Sequence, residues 1–261
     1  MKKFDMNQSV WYERYKPQLI DDLIIPQALR DSLNKGIRQQ TIPNIGIFSS
    51  LPGTGKSSTA NAIVRELNGE ALWINASKEK GIDTLRGKIA KFASQSSFDG
   101  NIKVVVMDEF DYFSPDGQAA FRGFLDEFSS NCRFIFTGNY KEKIIEPLLD
   151  RMECYDYNAF PKEEQIKPIF ERLRFILDNE KVQYDPKDLV PVINTYYPRI
   201  RSMIGFLQKC SSGGILDVSL GDIDEVSALD EVMKLASPRT YLEMVSAVNK
   251  LNAPDNMFGF L

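Results

Sequence analysis

No histidine occurs anywhere in the 261 residues. That absence excludes Ser-His-Asp triads, histidine acid–base chemistry and most metal centres, which draw on imidazole. Cysteine is scarce as well. Cys132, Cys154 and Cys210 stand far apart with no C-x-x-C pair, which argues against zinc and against a disulfide framework and fits a reducing compartment. No apolar run approaches the roughly 20 residues that a membrane span needs. The N-terminus, Met1-Lys2-Lys3-Phe4-Asp5, has no apolar signal core, so export is not expected. A large excess of one charge is also missing: the net charge of −4 gives no global pull toward nucleic acid. Contact with DNA would need a local basic surface or helix N-termini. The chemistry left to the chain uses carboxylates, lysine, arginine, backbone amides and a bound cation.

What is present is an ordinary globular composition, 43% hydrophobic and 26% charged, in a chain long enough for an α/β core and a smaller second domain. Ile45-Gly46-Ile47-Phe48, Ala71-Leu72-Trp73-Ile74, Val104-Val105-Val106-Met107 and Phe134-Ile135-Phe136-Thr137 read as buried strands. Such continuous apolar runs suit a parallel sheet covered on both faces. Between them, a helix over 57–67 places Ala60, Ile63, Val64 and Leu67 on one face. Ser114-Pro115 reads as an N-cap and first helical residue, with Phe121, Phe124, Leu125 and Phe128 turned inward. This alternation predicts a doubly wound α/β domain. After Phe160-Pro161 three helical patterns follow, over 162–179, 186–196 and 198–210. A break at Ser211-Ser212-Gly213-Gly214 precedes a weaker helical stretch over 224–249.

Three constellations carry chemistry. The first is Pro52-Gly53-Thr54-Gly55-Lys56-Ser57, between an apolar strand and a helix. Backbone N–H groups of such a glycine-rich turn wrap a polyphosphate, and the following helix points its positive end at it. Gly53 and Gly55 permit the backbone geometry, with Thr54 and Ser58 in the same cradle. Lys56 reaches the β- and γ-phosphates, and the Ser57 hydroxyl holds Mg²⁺. The pattern G-x-x-x-x-G-K-[ST] expects glycine at position 50, where this chain has Ser50. The second is Asp108-Glu109, delivered by an apolar strand to its C-terminal end, where open α/β sheets bind ligands. Asp108 would orient the Mg²⁺ shell and Glu109 would polarise an attacking water. The third is Thr137-Gly138-Asn139, where a buried strand ends in polar residues and Asn139 can place an amide near the γ-phosphate; taken alone, a Gly-Asn pair is more often a turn.

The order Trp11-Tyr12-Glu13-Arg14-Tyr15-Lys16-Pro17, phosphate loop, Asp-Glu box and Thr137-Gly138-Asn139 resembles AAA+ clamp-loader ATPases of the replication factor C type, above all the large subunit of tailed-phage sliding-clamp loaders. The Tyr-Lys-Pro box is the specific element, since generic P-loop proteins lack it. Ser96-Ser97-Phe98-Asp99-Gly100 and Phe128-Ser129-Ser130-Asn131-Cys132 also resemble the phage branch. The resemblance implies an AAA+ P-loop domain over 1–160, a small helical lid domain over 161–222 and a truncated helical collar over 223–261. It implies that Tyr12, Glu13, Arg14 and Tyr15, with Ile24, line the adenine and ribose pocket. Arg151, in Leu148-Leu149-Asp150-Arg151-Met152, matches the arginine finger that reaches a neighbouring subunit's ATP, with Asp150 as a possible ion-pair partner and a plain surface arginine as the alternative. Arg201 matches the lid sensor that touches ATP in its own subunit, and Arg199 competes for that role. Gln118 and Arg122, four apart on the polar face of one helix and next to Asp126, are candidates for interface coupling, because the resemblance implies that this helix lies near the subunit interface and the central chamber; an ordinary i,i+4 structural face is the alternative for at least one of them. Lys80 and Arg86 border a helix over 84–92 and are the candidate DNA contacts, with an ordinary solvated charged face as the alternative.

The reading that follows is an ATP-hydrolysing subunit of a sliding-clamp loader, using ATP and Mg²⁺ in the cytoplasm of an infected host cell. Its expected partners are other ATPase copies and a smaller subunit in a hetero-oligomer, the sliding clamp and primer-template DNA, with no membrane. The alternatives are a non-hydrolysing assembly subunit of the same complex and an AAA+ ATPase of helicase-loader type. The apolar tail Met257-Phe258-Gly259-Phe260-Leu261 falls where relatives continue their collar, so self-assembly weaker than in relatives is expected.

Overall fold

A computed structural model describes residues 10–79, 81–95 and 101–220. Lys80, the segment 96–100 and the expected collar over 223–261 lie outside the described residues. In chain order the elements are α1 (Trp11–Arg14), α2 (Gln27–Arg38), β1 (Ile45–Phe48), α3 (Lys56–Glu66), β2 (Glu70–Asn75), α4 (Ile82–Ser94), β3 (Lys103–Asp108), α5 (Pro115–Phe128), β4 (Cys132–Gly138), α6 (Glu146–Leu149), β5 (Glu153–Asp156), α7 (Lys162–Asn179), α8 (Leu189–Tyr196) and α9 (Ile200–Cys210). They fall into two compact units, Pro17–Phe160 and the described parts of Met1–Lys16 with Pro161–Leu261.

The first unit is a five-stranded sheet in the order β2-β3-β4-β1-β5, and every described strand pairing is parallel. Successive side chains of a strand point to opposite faces, so each strand feeds two cores. Val105 and Met107 join Phe121, Phe124, Phe134 and Phe136 on one side. Val104 and Val106 join Ile45, Ile47, Ala60 and Ile63 on the other. Burial on both faces explains why β1, β3 and β4 are continuously apolar. All four strands read from the sequence are present, but β2, expected buried, is a half-buried edge strand with Trp73 40% exposed. The fifth, Glu153-Cys154-Tyr155-Asp156, is a half-exposed edge strand with no apolar run to announce it. Helix α2 also went unread, although Leu29, Leu33 and Ile37 form its buried stripe. Its N-cap is Pro26, which offers no side-chain capping bond as a start signal. Helix α5 begins as expected: the Ser114 hydroxyl accepts the Gly117 N–H at 3.2 Å and Pro115 stands at the first helical position.

The second unit is helical. Helices α7, α8 and α9 bury Ile169, Leu173, Ile176, Ile193, Met203 and Leu207 among themselves. Residues 10–16 group with this helical unit, so the division of the described residues falls at Pro17 as well as at Pro161. Trp11 is only 7% exposed, and its backbone N–H donates to the Gln208 side-chain carbonyl at 3.0 Å. Tyr15 meets Phe175 edge-on at 6.2 Å between ring centroids. Burying these rings against α7 and α9 removes apolar surface that a free arm would leave in water.

Candidate nucleotide site

The C-terminal ends of β1, β3 and β4 bring together the residues expected to do chemistry. Between β1 and α3 the chain turns through Gly53 (φ 77°) and Gly55 (φ 109°), left-handed conformations that favour glycine. Gly55 is the N-cap of α3, so Lys56, Ser57 and Ser58 form its first turn, where unpaired N–H groups and the helix dipole favour an anion. Thr54 is buried, and its hydroxyl reaches the Leu51 carbonyl at 3.5 Å. The Lys56 ammonium donates to the carbonyls of Ser49 (3.2 Å) and Leu51 (3.1 Å), drawing the start of the loop toward its end.

Strand β3 presents Asp108 and Glu109 beside this loop. Ser57 Oγ donates to Asp108 at 3.2 Å. Thr137, on the neighbouring strand β4, donates its hydroxyl to the same Asp108 oxygen and accepts the Glu109 N–H at 3.3 Å. Glu109 has φ 57° and ψ 40°, an uncommon conformation for a non-glycine residue, and its only described backbone donor bond is that one to Thr137. A hydroxyl and a carboxylate this close are hard oxygen donors of the kind Mg²⁺ takes when phosphates and water complete its shell. No cluster of three or more acidic, cysteine or histidine residues exists among the described residues to form an all-protein metal cage.

Asn139, just past the end of β4, is held by Asp111. Asp111, 6% exposed, accepts the Asn139 N–H at 3.1 Å, and a Cβ on the intervening Gly138 would lie 2.9 Å from the same carboxylate oxygen. Only glycine lets Asp111 approach so closely, which gives the Thr-Gly-Asn sequence its physical reason. Thr137 and Asp111, which bond Asp108, Glu109 and Asn139, are site residues to which the motifs assign no role, although both lie inside the quoted segments.

Two expectations are corrected on α5. Gln118 was placed on the polar face, but it is fully buried. Its Nε2 donates to the carbonyls of Phe113 (3.1 Å) and Lys143 (2.9 Å), while Oε1 accepts the Ile145 N–H at 2.9 Å. Arg122 on the same helix is exposed, as expected of a polar face. Arg151 pairs with Asp126 rather than Asp150: Nε donates to Oδ1 at 3.1 Å, Nη2 to Oδ2 at 3.4 Å, and Nη1 to the Pro147 carbonyl at 2.9 Å. Asp126, on α5, thus takes the place expected of the sequence neighbour. Arg86 pairs with Glu127 at 3.3 Å and lies over the Phe124 ring at 5.8 Å. Ile24 is half-buried, between Leu23 and Ile25 of the core.

In the helical unit, Arg14 and Tyr15 both donate to Glu180 Oε1 at 2.5 Å. Burial and then the bond to Glu180 push the Tyr15 phenol above its usual pKa. Arg201, in the first turn of α9, lies 5.9 Å from the Tyr12 ring centroid, a cation–π distance. Glu13 is exposed, and Arg199 is the N-cap residue of α9.

A parallel sheet with a glycine-rich loop, an N-terminal helix turn and paired acids at its strand ends defines a P-loop nucleotide-binding domain. Residues 47–157 match the family model of the "ATPase family associated with various cellular activities (AAA)". The chain is 34% identical over 248 residues to the replication factor C small subunit of Saccharolobus solfataricus, spanning 92% of this chain and 71% of that protein. It is 33% identical over 244 residues to the sliding-clamp-loader large subunit of Escherichia phage RB69, spanning 90% and 76%. To the corresponding subunit of Enterobacteria phage T4 it is 33% identical over 229 residues, spanning 85% and 72%. The chain therefore belongs to the clamp-loader family of AAA ATPases. The Thermotoga maritima RuvB Holliday junction branch migration motor superposes with a TM-score of 0.60 over 79% of this chain and 70% of that one, at 15% identity, a likeness of fold alone. Among the described residues no helix is long and apolar enough to cross a membrane.

Proposed function

We propose that this chain is the ATP-hydrolysing subunit of a DNA-polymerase sliding-clamp loader serving phage DNA replication in the infected cell. The observation that carries hydrolysis is the hydrogen-bonded set Ser57–Asp108–Thr137–Glu109 at the mouth of the phosphate loop. In this reading the amides of 53–58 and the Lys56 ammonium hold the polyphosphate. Ser57 and Asp108 would hold Mg²⁺, which would neutralise charge on the phosphate oxygens. Glu109 orients the attacking water and takes its proton, and the Asn139 amide donates toward the γ-phosphate. Arg151 serves the nucleotide of a neighbouring subunit. Nucleotide contacts by Tyr12, Glu13, Arg14, Tyr15, Ile24 and Arg201, and DNA contacts by Lys80 and Arg86, follow from family membership rather than from the geometry of either unit. Relatives named as clamp-loader subunits support a multi-subunit assembly acting on a sliding clamp and primer-template DNA.

The test is the ATPase rate of the purified chain alone and with a sliding clamp, the smaller loader subunit and primed DNA. Stimulation by the full set, abolished in Lys56→Ala and Glu109→Gln, is the expected result, with Lys56→Ala also binding ATP more weakly. No hydrolysis in any mixture would leave an assembly subunit. Stimulation by DNA that is indifferent to the clamp would point to a helicase-loader type.

A further inference from the structure

The unexplained features of the phosphate loop are Ser50, where the motif has glycine, and the residues that close around the loop from outside it. Ser50 is not among the residues with positive φ, so a side chain costs no backbone strain there. Its N–H and its hydroxyl both point to one atom, Asn158 Oδ1, at 3.1 and 2.9 Å. The sheet register explains the meeting. Strands β1 and β5 run parallel with Phe48 opposite Asp156, so Ser50 and Asn158 each stand two residues beyond a paired position. Asp156 fixes the amide's orientation: its Oδ1 accepts both the Asn158 N–H (2.9 Å) and the Asn158 Nδ2 (2.8 Å), which leaves Oδ1 of Asn158 facing the Ser50 donors.

The adjacent residue holds the other end of the loop. Tyr157 is buried, and its hydroxyl bonds Thr59 Oγ1 in the first turns of α3. Thr59 donates to the Gly55 carbonyl at 3.2 Å, so the tyrosine is the donor to Thr59. Burial pushes the Tyr157 phenol far above its usual pKa, which keeps that proton in place. A Cβ at Gly55 would lie 3.9 Å from the Tyr157 ring. Two consecutive residues thus grip the loop at Ser50, where it begins, and at Thr59, just past its end.

We infer that Tyr157-Asn158 is a clip that pre-organises the phosphate loop for nucleotide, with Asn158 a positioning residue acting through Ser50. The inference rests on the nucleotide reading above. A loop already held in its binding shape loses less conformational freedom when it closes on phosphates, so the clip raises affinity without touching the ligand. Ser50 and Asn158 are both exposed, so removing their contact leaves the core intact.

The experiment is equilibrium titration of the full chain with MgATP, alongside thermal denaturation without nucleotide. Asn158→Ala removes the acceptor of both Ser50 donors, which at this exposed site water partly replaces, and is expected to weaken binding about fivefold with the nucleotide-free melting temperature unchanged. Ser50→Ala, which keeps the backbone N–H donor, is expected to cost about twofold. The double variant should be no weaker than Asn158→Ala alone, because both changes break the same contact. Tyr157→Phe, which keeps the buried ring, should also weaken binding. Wild-type chain that binds MgATP while Asn158→Ala binds equally well overturns the clip alone. Additive losses in the double variant overturn it too, since they would place the two residues in separate roles. Wild-type chain that binds no MgATP overturns the nucleotide reading and the clip with it.

Discussion

Replacing Thr137 by valine isolates one hydroxyl that serves both acids of the site. Thr137 is 1% exposed on β4, opposite Ile47 of β1. Valine has nearly the same shape and suits a buried strand, so backbone pairing and packing should survive. Two hydrogen bonds are lost. Asp108 loses the donated hydroxyl, a bond to a charged acceptor worth about 1.5–3 kcal/mol. The Glu109 N–H, held in a left-handed backbone conformation, loses its acceptor, at a cost of about 1 kcal/mol. Ser57 still donates to Asp108, so the carboxylate is not stranded and the total should fall near the lower end, about 2–3 kcal/mol in urea denaturation. The two acids lose their mutual alignment, and kcat for ATP should fall about tenfold or more with KM little changed, the signature of an interaction felt in the transition state. Thr137→Ser retains the hydroxyl and should recover most of the rate. A valine variant with stability within about 0.5 kcal/mol and unchanged kcat would refute the claim that Thr137 aligns these acids.

Gln118→Ala strips partners from Phe113 O, Lys143 O and Ile145 N together; part of that loss is recovered by water at the exposed Lys143, so about 2–4 kcal/mol and a melting temperature lower by roughly 5–15 °C are expected in calorimetry. Asp126→Ala breaks the Arg151 fork at an exposed position, and chemical denaturation should register under about 1 kcal/mol, while trans-stimulated hydrolysis in the assembled complex should fall severalfold. Arg86→Ala should lower the slope of log affinity against log salt for primed DNA by about 1 if Arg86 reaches a phosphate, and leave it unchanged if Arg86 only faces Glu127 and solvent.

The features most legible in the sequence are those where one local pattern and the tertiary environment agree. Strand β3 is continuously apolar because both of its faces are covered, and its acids fall at the strand end because that is where the sheet stops. The phosphate loop and Ser114 cap are encoded within a few residues, so motif reading reaches them. Strand β5 was hidden because an edge strand with half-buried residues needs no apolar run. Gln118 illustrates a missed signal: it lies three residues before Phe121 and seven before Leu125, on the buried stripe, where its polar character drew it to the wrong face. Beyond the nearby Phe113 carbonyl, what fills its hydrogen-bonding capacity is a carbonyl at 143 and an N–H at 145, 25 and 27 residues away, and no local periodicity encodes that. The Arg151 partner was missed for the same reason, since Asp126 is 25 residues distant while Asp150 is adjacent.

These long-range ties have a common direction. Asp111, three residues past Asp108, holds the backbone of Asn139. Gln118 holds the turn at 143–145 that leads into α6, and Asp126, two helical turns further along α5, holds Arg151 at the far end of α6. Residues 108–151 are thereby joined by side-chain bonds as well as by packing, and α5 spans the distance between the acids and the arginine. An α-helix transmits a displacement along its axis better than a loop does, because each turn is tied to the next by backbone hydrogen bonds. A shift of Glu109 or Asp111 on nucleotide binding would move the start of α5, and the Gln118 and Asp126 bonds would carry that movement to Arg151. If Arg151 serves the next subunit's nucleotide, as proposed, the bonds that place it would tie its position to the segment that carries the acids. On that proposal, Gln118→Ala or Asp126→Ala should lower the stimulation of ATPase rate by the assembled complex more than it weakens equilibrium binding of ATP to the chain alone; equal losses in both measurements would refute it.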